Sequence, residues 1–335
     1  MRRAALALLL LASLLVATPA AAGPPDDIYR YLDDPQLTGE GQEEPHADLR
    51  PYPSTRAAID RAGANPLTLS LNGAWRLKIF DKPEDARFDG PGFTEVRVPH
   101  TWQSDFIDHP IFRNIPSEIV PDDPPRVPRD VNPTGAYLKT FTLPANWAGG
   151  RMFLRFEGVT SNYLVWVNGE YVGYDQGGYT PAEYDVTDHL RAGRNTIAVQ
   201  VHRWGSGAYL EDVDQWRYSG IFRDVWLYRT PQSRIRDAYI TTDLDSAYRD
   251  AVLTARLDAD GPVHARLFDG DRQIGAATGA GTLTMPVGNP RKWSAEEPNL
   301  YTLVLQLGDH ITAQRIGFRE IEVRDRQIQV NGKRN

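Results

Sequence analysis

The chain has 335 residues, a formal net charge of −7 and no cysteine. Its length allows two domains of ordinary size, and the lack of cysteine excludes disulfide bonds and thiolate chemistry. Lysine and arginine are scattered through an acidic chain, which argues against a nucleic acid or an anionic membrane as partner. The sequence therefore indicates a protein whose stability comes from a packed core.

The first 22 residues have the pattern of a secretory signal peptide. The basic start Met1–Arg3 precedes an apolar run from Ala4 to Ala17, and Pro19–Ala22 supplies small residues before a cleavage point. A transmembrane anchor is the alternative, but the run is shorter than the roughly 20 apolar residues that span a bilayer. We therefore expect cleavage after Ala22, a secreted or periplasmic protein, and a net charge of −9 once the two arginines are removed.

Residues 23–66 are rich in proline, aspartate, glutamate and glycine, which predicts an extended arm that lies over the first domain and does not fold alone. From residue 67 to 230, short β-branched and aromatic runs alternate with period two, as half-buried strands do. The clearest signal is Asn168-Gly169 between two such runs, which predicts a hairpin with a type I′ turn. Many short strands with almost no helical periodicity favour a β-sandwich or jelly roll. The main predicted strands are Trp75–Phe80, Tyr137–Leu143, Tyr163–Val167, Glu170–Tyr174, Thr196–Val201 and Ile221–Tyr228.

A second set of strands, spaced by about ten residues, predicts a small immunoglobulin-like sandwich over residues 231–324. Its predicted strands are Asp237–Thr242, Ala251–Leu257, Val263–Phe268, Leu300–Leu307 and Ile311–Val323. Near the end, Arg326–Val330 predicts a strand and Asn331-Gly332 a hairpin turn. Only three residues follow that turn, so we expect no returning strand, an unpaired β edge and a chain cut off in mid-fold. The alternative is a frayed tail.

Two loop segments could contact a sugar. In Tyr209–Trp216, three carboxylates stand beside two aromatic residues; carboxylates bind hydroxyls or a hard cation, and aromatic faces pack on pyranose rings. The amide of Asn114 could donate to and accept from a hydroxyl. From composition alone a solvated acidic turn and ordinary turn chemistry are the commoner explanations. The seven histidines lack the spacing of a zinc site, and no familiar nucleophile or phosphate-binding motif is present.

Many ordered blocks between about residue 34 and residue 335 resemble the N-terminal half of glycoside hydrolase family 2. The segment Tyr209–Trp216, of the form Tyr-Leu-Glu-Asp-x-Asp-x-Trp, is more similar to its β-galactosidases than to its β-glucuronidases. The other blocks are Glu44–Ala47, Leu71–Trp75, Val98–Gln103, Asn132–Tyr137, Phe156–Val159, Trp166–Gly169, Val172–Tyr174, Ser219–Val225, Trp293–Tyr301, Ile316–Glu320 and Val330–Lys333.

The resemblance implies an all-β chain: a jelly-roll sandwich of the galactose-binding type, then an immunoglobulin-like sandwich, then a TIM barrel that carries two catalytic glutamates. It implies that Asn114 and Asp214 reach a β-galactoside in the barrel's active site and that Asp214 is also a partial sodium site. Magnesium is expected only in the barrel. Gly317, Arg319 and Glu320 match the family as well, and we interpret them as structural.

The catalytic pair is the main departure from the family. Retaining glycosidases need two carboxyl groups about 5–5.5 Å apart, and no glutamate here corresponds to either. We expect both beyond Asn335, with residues 325–335 beginning the missing barrel. The sequence thus predicts the N-terminal portion of a secreted β-galactosidase that is inactive alone, with the barrel truncated, on a separate polypeptide or missing from an incomplete sequence. The alternative is a stand-alone carbohydrate-binding or scaffold protein.

Overall fold

The structure, a computed structural model, describes residues 27–112, 123–210 and 216–334. Within these ranges the chain forms two short α-helices, α1 (Tyr29–Asp33) and α2 (Thr55–Asp60), and otherwise strands joined by turns and 3₁₀ segments. The strands are β1 (Gly39–Glu40), β2 (Thr68–Ser70), β3 (Gly73–Phe80), β4 (Thr94–Val98), β5 (Thr134–Leu143), β6 (Arg151–Phe156), β7 (Val159–Thr160), β8 (Asn162–Val167), β9 (Glu170–Asp175), β10 (Ala182–Asp185), β11 (Gly193–His202), β12 (Gly220–Ile221), β13 (Val225–Thr230), β14 (Ile235–Leu244), β15 (Ala251–Ala259), β16 (Val263–Asp269), β17 (Arg272–Gly279), β18 (Thr282–Val287), β19 (Tyr301–Leu307), β20 (His310–Ile316), β21 (Ile321–Arg324), β22 (Gln327–Val330) and β23 (Lys333–Arg334).

The first sandwich packs two antiparallel sheets against each other. One sheet has the order β1-β9-β8-β11-β5-β3-β4 and the other β10-β6-β13-β2, with β12 and β7 paired separately. Alternate residues of the two sheets meet in one core, where Trp75, Tyr137, Phe156 and Tyr184 are buried. The crossed strand order and the shared core confirm the predicted jelly-roll sandwich.

The predicted hairpin at Asn168-Gly169 is confirmed and joins β8 to β9. Both turn residues have positive φ, 53° and 89°, as a type I′ turn requires. The Asn168 side chain also ties the turn to its surroundings, since its Oδ1 accepts from the backbone N–H of Thr196 at 3.0 Å and its Nδ2 donates to the carbonyl oxygen of His189 at 2.8 Å. The turn therefore fixes the register of the central strands.

The second sandwich pairs the sheets β14-β15-β18 and β17-β16-β19-β20 around a core that contains Leu253, Leu267, Leu303 and Phe318. This confirms the predicted immunoglobulin-like fold. Strands β17 and β18 were not predicted. Strand β17 is made largely of glycine, alanine and polar residues, so it lacks the β-branched and aromatic enrichment that marks a strand in sequence. Strand β18 has three β-branched residues, but it also carries a proline, which argues against a strand in sequence.

The arm packs on both sandwiches, whereas the sequence predicted contact with the first. Helix α1 and the preceding Ile28 pack on the first sandwich. Strand β1 pairs with β9 and extends the larger sheet of that sandwich at one edge. Further along, Leu49 enters the core of the second sandwich, and Ala58 in α2 packs against Phe268 and Val304 there. The arm's few apolar residues therefore pack in two separate places.

Two predicted long strands are each interrupted. Residues 222–224 leave the ladder between β12 and β13, where the Asn72 amide donates to the Asp224 carboxylate at 2.8 Å. Residues 317–320 separate β20 from β21. A Cβ on Gly317 would lie 3.0 Å from Trp293, and the Arg319 guanidinium stacks 4.5 Å from the centre of the same ring. These contacts agree with a structural role for Gly317 and Arg319, because they hold the Trp293 side chain beside the interruption between β20 and β21.

The end of the described chain differs from its prediction in one respect. Strand β22 and the turn at Asn331-Gly332 form as expected, with φ of 53° and 72°. The expected lack of a returning strand is wrong, because Lys333 and Arg334 pair with Val330 and Gln329 as the short strand β23. Strand β21 pairs with the other edge of β22. The two residues of β23 are enough to pair with the edge of β22 at Gln329 and Val330.

Candidate functional site

The loop that contains Asn114 begins beside the point where the loop Tyr209–Trp216 ends. Arg217 donates its backbone N–H to the carbonyl oxygen of Ile111 at 2.8 Å, in an isolated antiparallel bridge. One residue further in, the rings of Phe112 and Trp216 are 5.5 Å apart. Asn114 and Asp214, two residues beyond these rings along the chain, lie outside the described residues. Their roles in sugar binding and, for Asp214, in sodium binding stay predictions.

A buried ion pair anchors the base of this loop pair. Arg203, directly after β11, donates to the Asp108 carboxylate at 2.5 Å and to the His109 carbonyl oxygen at 3.2 Å. Gln103 donates to the same carboxylate at 3.2 Å and accepts from the backbone N–H of Ser219 at 2.8 Å. Charge-assisted bonds between largely buried groups are among the stronger interactions in a protein. They hold the segment before the Asn114 loop and the segment after the loop Tyr209–Trp216 at the end of β11.

Three aromatic side chains form an exposed surface beside the loops. Phe112, Trp216 and Tyr218 are 48%, 47% and 40% exposed. The Trp216 and Tyr218 rings are nearly parallel, with 17° between their planes and 6.4 Å between their centres. Such a surface suits the apolar face of a pyranose ring. Of these three, the sequence singled out only Trp216; Phe112 and Tyr218 were missed, because local patterns do not show that the bridge between Ile111 and Arg217 brings the two segments together.

Below this surface lies a chain of hydrogen bonds that resembles a proton relay. Trp102 Nε1 donates to the Tyr137 hydroxyl at 2.6 Å, that hydroxyl contacts His100 Nε2 at 2.9 Å, and His100 Nδ1 contacts the Asp105 carboxylate at 2.6 Å. Burial lowers the pKa of His100 despite the carboxylate, and burial raises the pKa of Tyr137. Because Tyr137 is fully buried, its hydroxyl cannot reach a substrate. The chain of bonds therefore positions the segment that follows β4.

His202, at the end of β11, is also unsuited to acid–base chemistry. Burial lowers its pKa to about 3, so the ring is neutral at physiological pH. Its Nδ1 contacts Asn162 Oδ1 at 2.7 Å and its Nε2 contacts Gln200 Nε2 at 3.1 Å. Both ring nitrogens of His202 therefore have partners inside the sandwich, and neither is available to a substrate.

A polar groove of about 800 Å³ runs between the arm and the edge of the first sandwich. Burial raises the pKa of Asp175 on its wall to about 6, although backbone N–H groups and the Gln42 side chain donate to it. Glu183, deeper in the groove, contacts His46 at 3.1 Å and Arg155 at 3.4 Å. Since these carboxylates are already partnered inside the protein, the groove acts as a joint between arm and sandwich. Its lining includes Leu210, which belongs to the predicted acidic loop Tyr209–Trp216.

Over residues 27–112, 123–210 and 216–334, no group of three or more histidine, aspartate or glutamate residues is placed to hold a metal ion. In the same ranges, none of the helices has the length and apolar character needed to cross a membrane. The described carboxylates therefore provide no ready-made metal centre of this kind.

Comparisons with known proteins fit this architecture. The family model "Glycosyl hydrolases family 2, sugar binding domain" matches residues 68–231, and the model "Glycosyl hydrolases family 2" matches residues 233–319. With the two sandwiches, these matches define a chain of the glycosyl hydrolase type with modular β architecture. The chain belongs to glycosyl hydrolases family 2 and matches the N-terminal part of its β-galactosidases.

The sequence relatives are named β-galactosidase. The protein from Photobacterium profundum is 38% identical over 91% of this chain and 32% of its own length. The one from Priestia megaterium is 35% identical over 93% of this chain and 34% of its own length. The chain thus spans about a third of the length of the curated relatives it matches.

Solved structures agree on the fold. A β-glucuronidase from Ruminococcus gnavus superimposes with a TM-score of 0.66 at 21% identity, covering 86% of this chain and 49% of that one. A β-glucuronidase from an uncultured Clostridium species gives 0.61 at 21% identity, covering 81% and 48%. At this level of identity the similarity concerns the fold alone.

Proposed function

We propose that this chain is the N-terminal portion of a secreted, retaining β-galactosidase that hydrolyses terminal β-D-galactosides in carbohydrate metabolism. The observation that carries the proposal is its match to β-galactosidases over more than nine tenths of the chain but only about a third of their length. Retaining hydrolysis needs two carboxyl groups about 5–5.5 Å apart, and no glutamate of this chain matches either by motif. The chain accordingly supplies accessory substrate contacts, and the catalytic pair belongs to another part of the enzyme.

In this proposal Asn114 and Asp214 orient hydroxyls of the galactosyl ring. The contact between Phe112 and Trp216 supports it, because each ring lies two residues from one of these polar side chains. Hydrogen bonds that strengthen as the oxocarbenium-like transition state forms would add to the rate. The sodium ion expected at Asp214 remains part of the proposal, and no step depends on it.

Hydrolysis of a nitrophenyl β-D-galactopyranoside tests this proposal. We expect no turnover by the purified chain. We expect turnover when it is mixed with a polypeptide that comprises the remaining two thirds of the Photobacterium profundum relative. In that mixture Asn114→Ala and Asp214→Ala should each lower kcat/KM by about 10- to 100-fold, as the loss of a hydrogen bond to a polar or charged partner does. Asp309→Ala, in an exposed turn of the second sandwich, is the control. Turnover by the chain alone would refute the assignment of the catalytic pair.

A stand-alone carbohydrate-binding protein is the second candidate, favoured by the exposed aromatic surface of Phe112, Trp216 and Tyr218. It requires saturable galactose binding by the isolated chain. Labelling with 5-fluorotryptophan gives each tryptophan its own ¹⁹F signal, and Trp216→Phe identifies the one beside the loops. The coding sequence after Asn335 separates the candidates: an open frame with two strand-end glutamates supports the enzyme, and a stop codon supports the binding protein.

A further inference from the structure

The hairpin formed by β21 and β22 has its apolar face turned outward. Ile321 is paired with Val330 and Val323 with Ile328, so these four side chains share one face of the hairpin. Val323 is 81% exposed, Ile328 63% and Ile321 56%. A solvated strand face normally carries polar residues. A group of exposed aliphatic side chains marks an interaction site.

The opposite face of the hairpin is polar and lies against the second sandwich. The Glu322 carboxylate accepts from the Tyr248 hydroxyl at 2.5 Å and pairs with Arg324 at 2.9 Å. Gln329, the cross-strand partner of Glu322, is largely buried. Where Glu322 and Gln329 pair, the hairpin therefore has the reverse of the usual pattern, with its polar side partly covered and its apolar side in solvent.

The orientation of the hairpin is fixed by contacts at its ends. Asn331 donates its side-chain amide to the carbonyl oxygen of Trp293 at 3.0 Å and accepts from the backbone N–H of Glu320 at 2.9 Å. The backbone of Gly332 approaches Tyr248 so closely that a Cβ there would lie 2.6 Å from the ring. A one-residue slip would exchange the two faces, and these contacts oppose it.

The edge of the apolar face is basic although the whole chain is acidic. Arg326, in the hairpin turn, and Lys333, the cross-strand partner of Val330 on this face, are exposed and outnumber the neighbouring Asp325. A second copy of the hairpin would bring two further cations against these two, which disfavours self-association through this face. A partner with an apolar centre and an acidic edge fits it.

We propose that the face of Ile321, Val323 and Ile328, with its basic edge, is the docking surface for the remaining part of the enzyme. This inference rests on the proposed function, and its occupant is the polypeptide that makes up the other two thirds of the relatives' length. Aliphatic side chains at the centre exclude water, and the cations set the approach and orientation.

The test mixes the full chain with the remaining two thirds of the Photobacterium profundum relative and measures affinity and amide hydrogen exchange. We expect protection of residues 321–330, and at least tenfold weaker association for Val323→Asp, because a charge would be buried without a partner. Val323→Ile should bind like the unmodified chain. The control is Val252→Asp, the same exchange at a partly exposed valine of β15. Arg326→Glu should weaken association and reduce its dependence on salt.

Several results would overturn the inference. These are unchanged hairpin exchange in the mixture, equal loss of affinity for Val323→Asp and Val252→Asp, dimerisation of the chain through the hairpin, or binding of the hairpin to anionic vesicles instead of the polypeptide. If the mixture gains turnover but Val323→Asp has no effect, the docking surface is wrong and the proposed function stands. If the hairpin is protected but no turnover appears, the function fails and the surface stands.

Discussion

Glu183 is the residue whose replacement tests most directly how the arm is held on the first sandwich. Its buried carboxylate, on β10, contacts His46 of the arm at 3.1 Å, Arg155 of β6 at 3.4 Å and the Tyr228 hydroxyl of β13. Glu183→Gln keeps the shape and removes the charge. The amide NH₂ that replaces one oxygen would then face a donor, either Arg155 at one position or His46 and Tyr228 at the other.

Loss of one partner from a buried ion pair costs roughly 3–5 kcal/mol. We expect about 3 kcal/mol for Glu183→Gln, the lower end of that range, because Arg155 keeps its contact with Glu157 at 3.0 Å. The free energy of unfolding should fall by this amount. The arm should also become more accessible to proteases around His46.

The pH dependence gives a sharper signature. The hydrogen bond to Glu183 raises the pKa of His46 above its ordinary 6.5. The stability this provides is complete below pH 6.5 and is lost as the pH rises through the raised value. Burial acts to raise the pKa of Glu183, but bonds from His46 and Tyr228 outweigh it and lower that pKa below 4.5. That contribution is complete above pH 4.5 and is lost as the pH falls through the lowered value.

Both contributions are therefore complete between pH 4.5 and pH 6.5. Urea unfolding followed by tryptophan fluorescence at about pH 5.5 and about pH 8.5 checks this, because of these two contributions only that of His46 changes between them. The raised pKa of Asp175 also lies in this range, but it affects the unmodified chain and the variant alike. Glu170→Gln is the matched control, since Glu170 contacts His189 at a similar 3.0 Å but its side chain is 70% exposed. The reasoning is refuted if Glu183→Gln costs no more than Glu170→Gln, or if its stability changes with pH as in the unmodified chain.

Two further substitutions test other parts of the structure. Gly317→Ala should lower the free energy of unfolding, measured by urea titration, by about 1–3 kcal/mol, as overpacking does, because its Cβ would press on Trp293. Gly288→Ala is the control: there is open space around Gly288, so the same titration should show little effect. A double-mutant cycle of Arg203→Ala and Asp108→Ala should give a coupling of about 1–3 kcal/mol in the free energy of unfolding; additive effects would mean that this pair does not anchor the loop bases.

The sequence predicted the fold well because its signals were local. Asn168-Gly169 specifies positive φ at two adjacent positions, and the runs on either side alternate with period two, so turn, strands and register agree with one another. The arm was harder to predict. Leu49 and Ala58 are isolated apolar residues in a polar segment, and nothing in their local pattern tells which of two cores they enter.

The candidate site was predictable only in part, because it is built from segments distant in sequence. The resemblance to the family pointed to Asn114 and Asp214, and aromatic character pointed to Trp216. Periodicity could not reveal that Phe112 lies beside Trp216, since their proximity depends on one backbone bridge between residues 111 and 217. The outward apolar face of Ile321–Val330 was missed for another reason: alternation predicts two faces but not which of them is buried.

The arm connects the sandwich that carries the loops to the sandwich that carries the hairpin. Glu43 contacts Arg234 at 2.5 Å and the backbone N–H of Ala47 donates to Asp237 at 2.9 Å, so the segment held on the first sandwich by Glu183 is also tied to the second. The first sandwich, which carries the loop bases, and the second, which carries the outward hairpin, are thus both held by one short segment of the arm. A partner held at the hairpin would then meet the loops at a defined position. Contacts that strengthen only in a transition state require such placement, because errors of about 1 Å remove most of their effect.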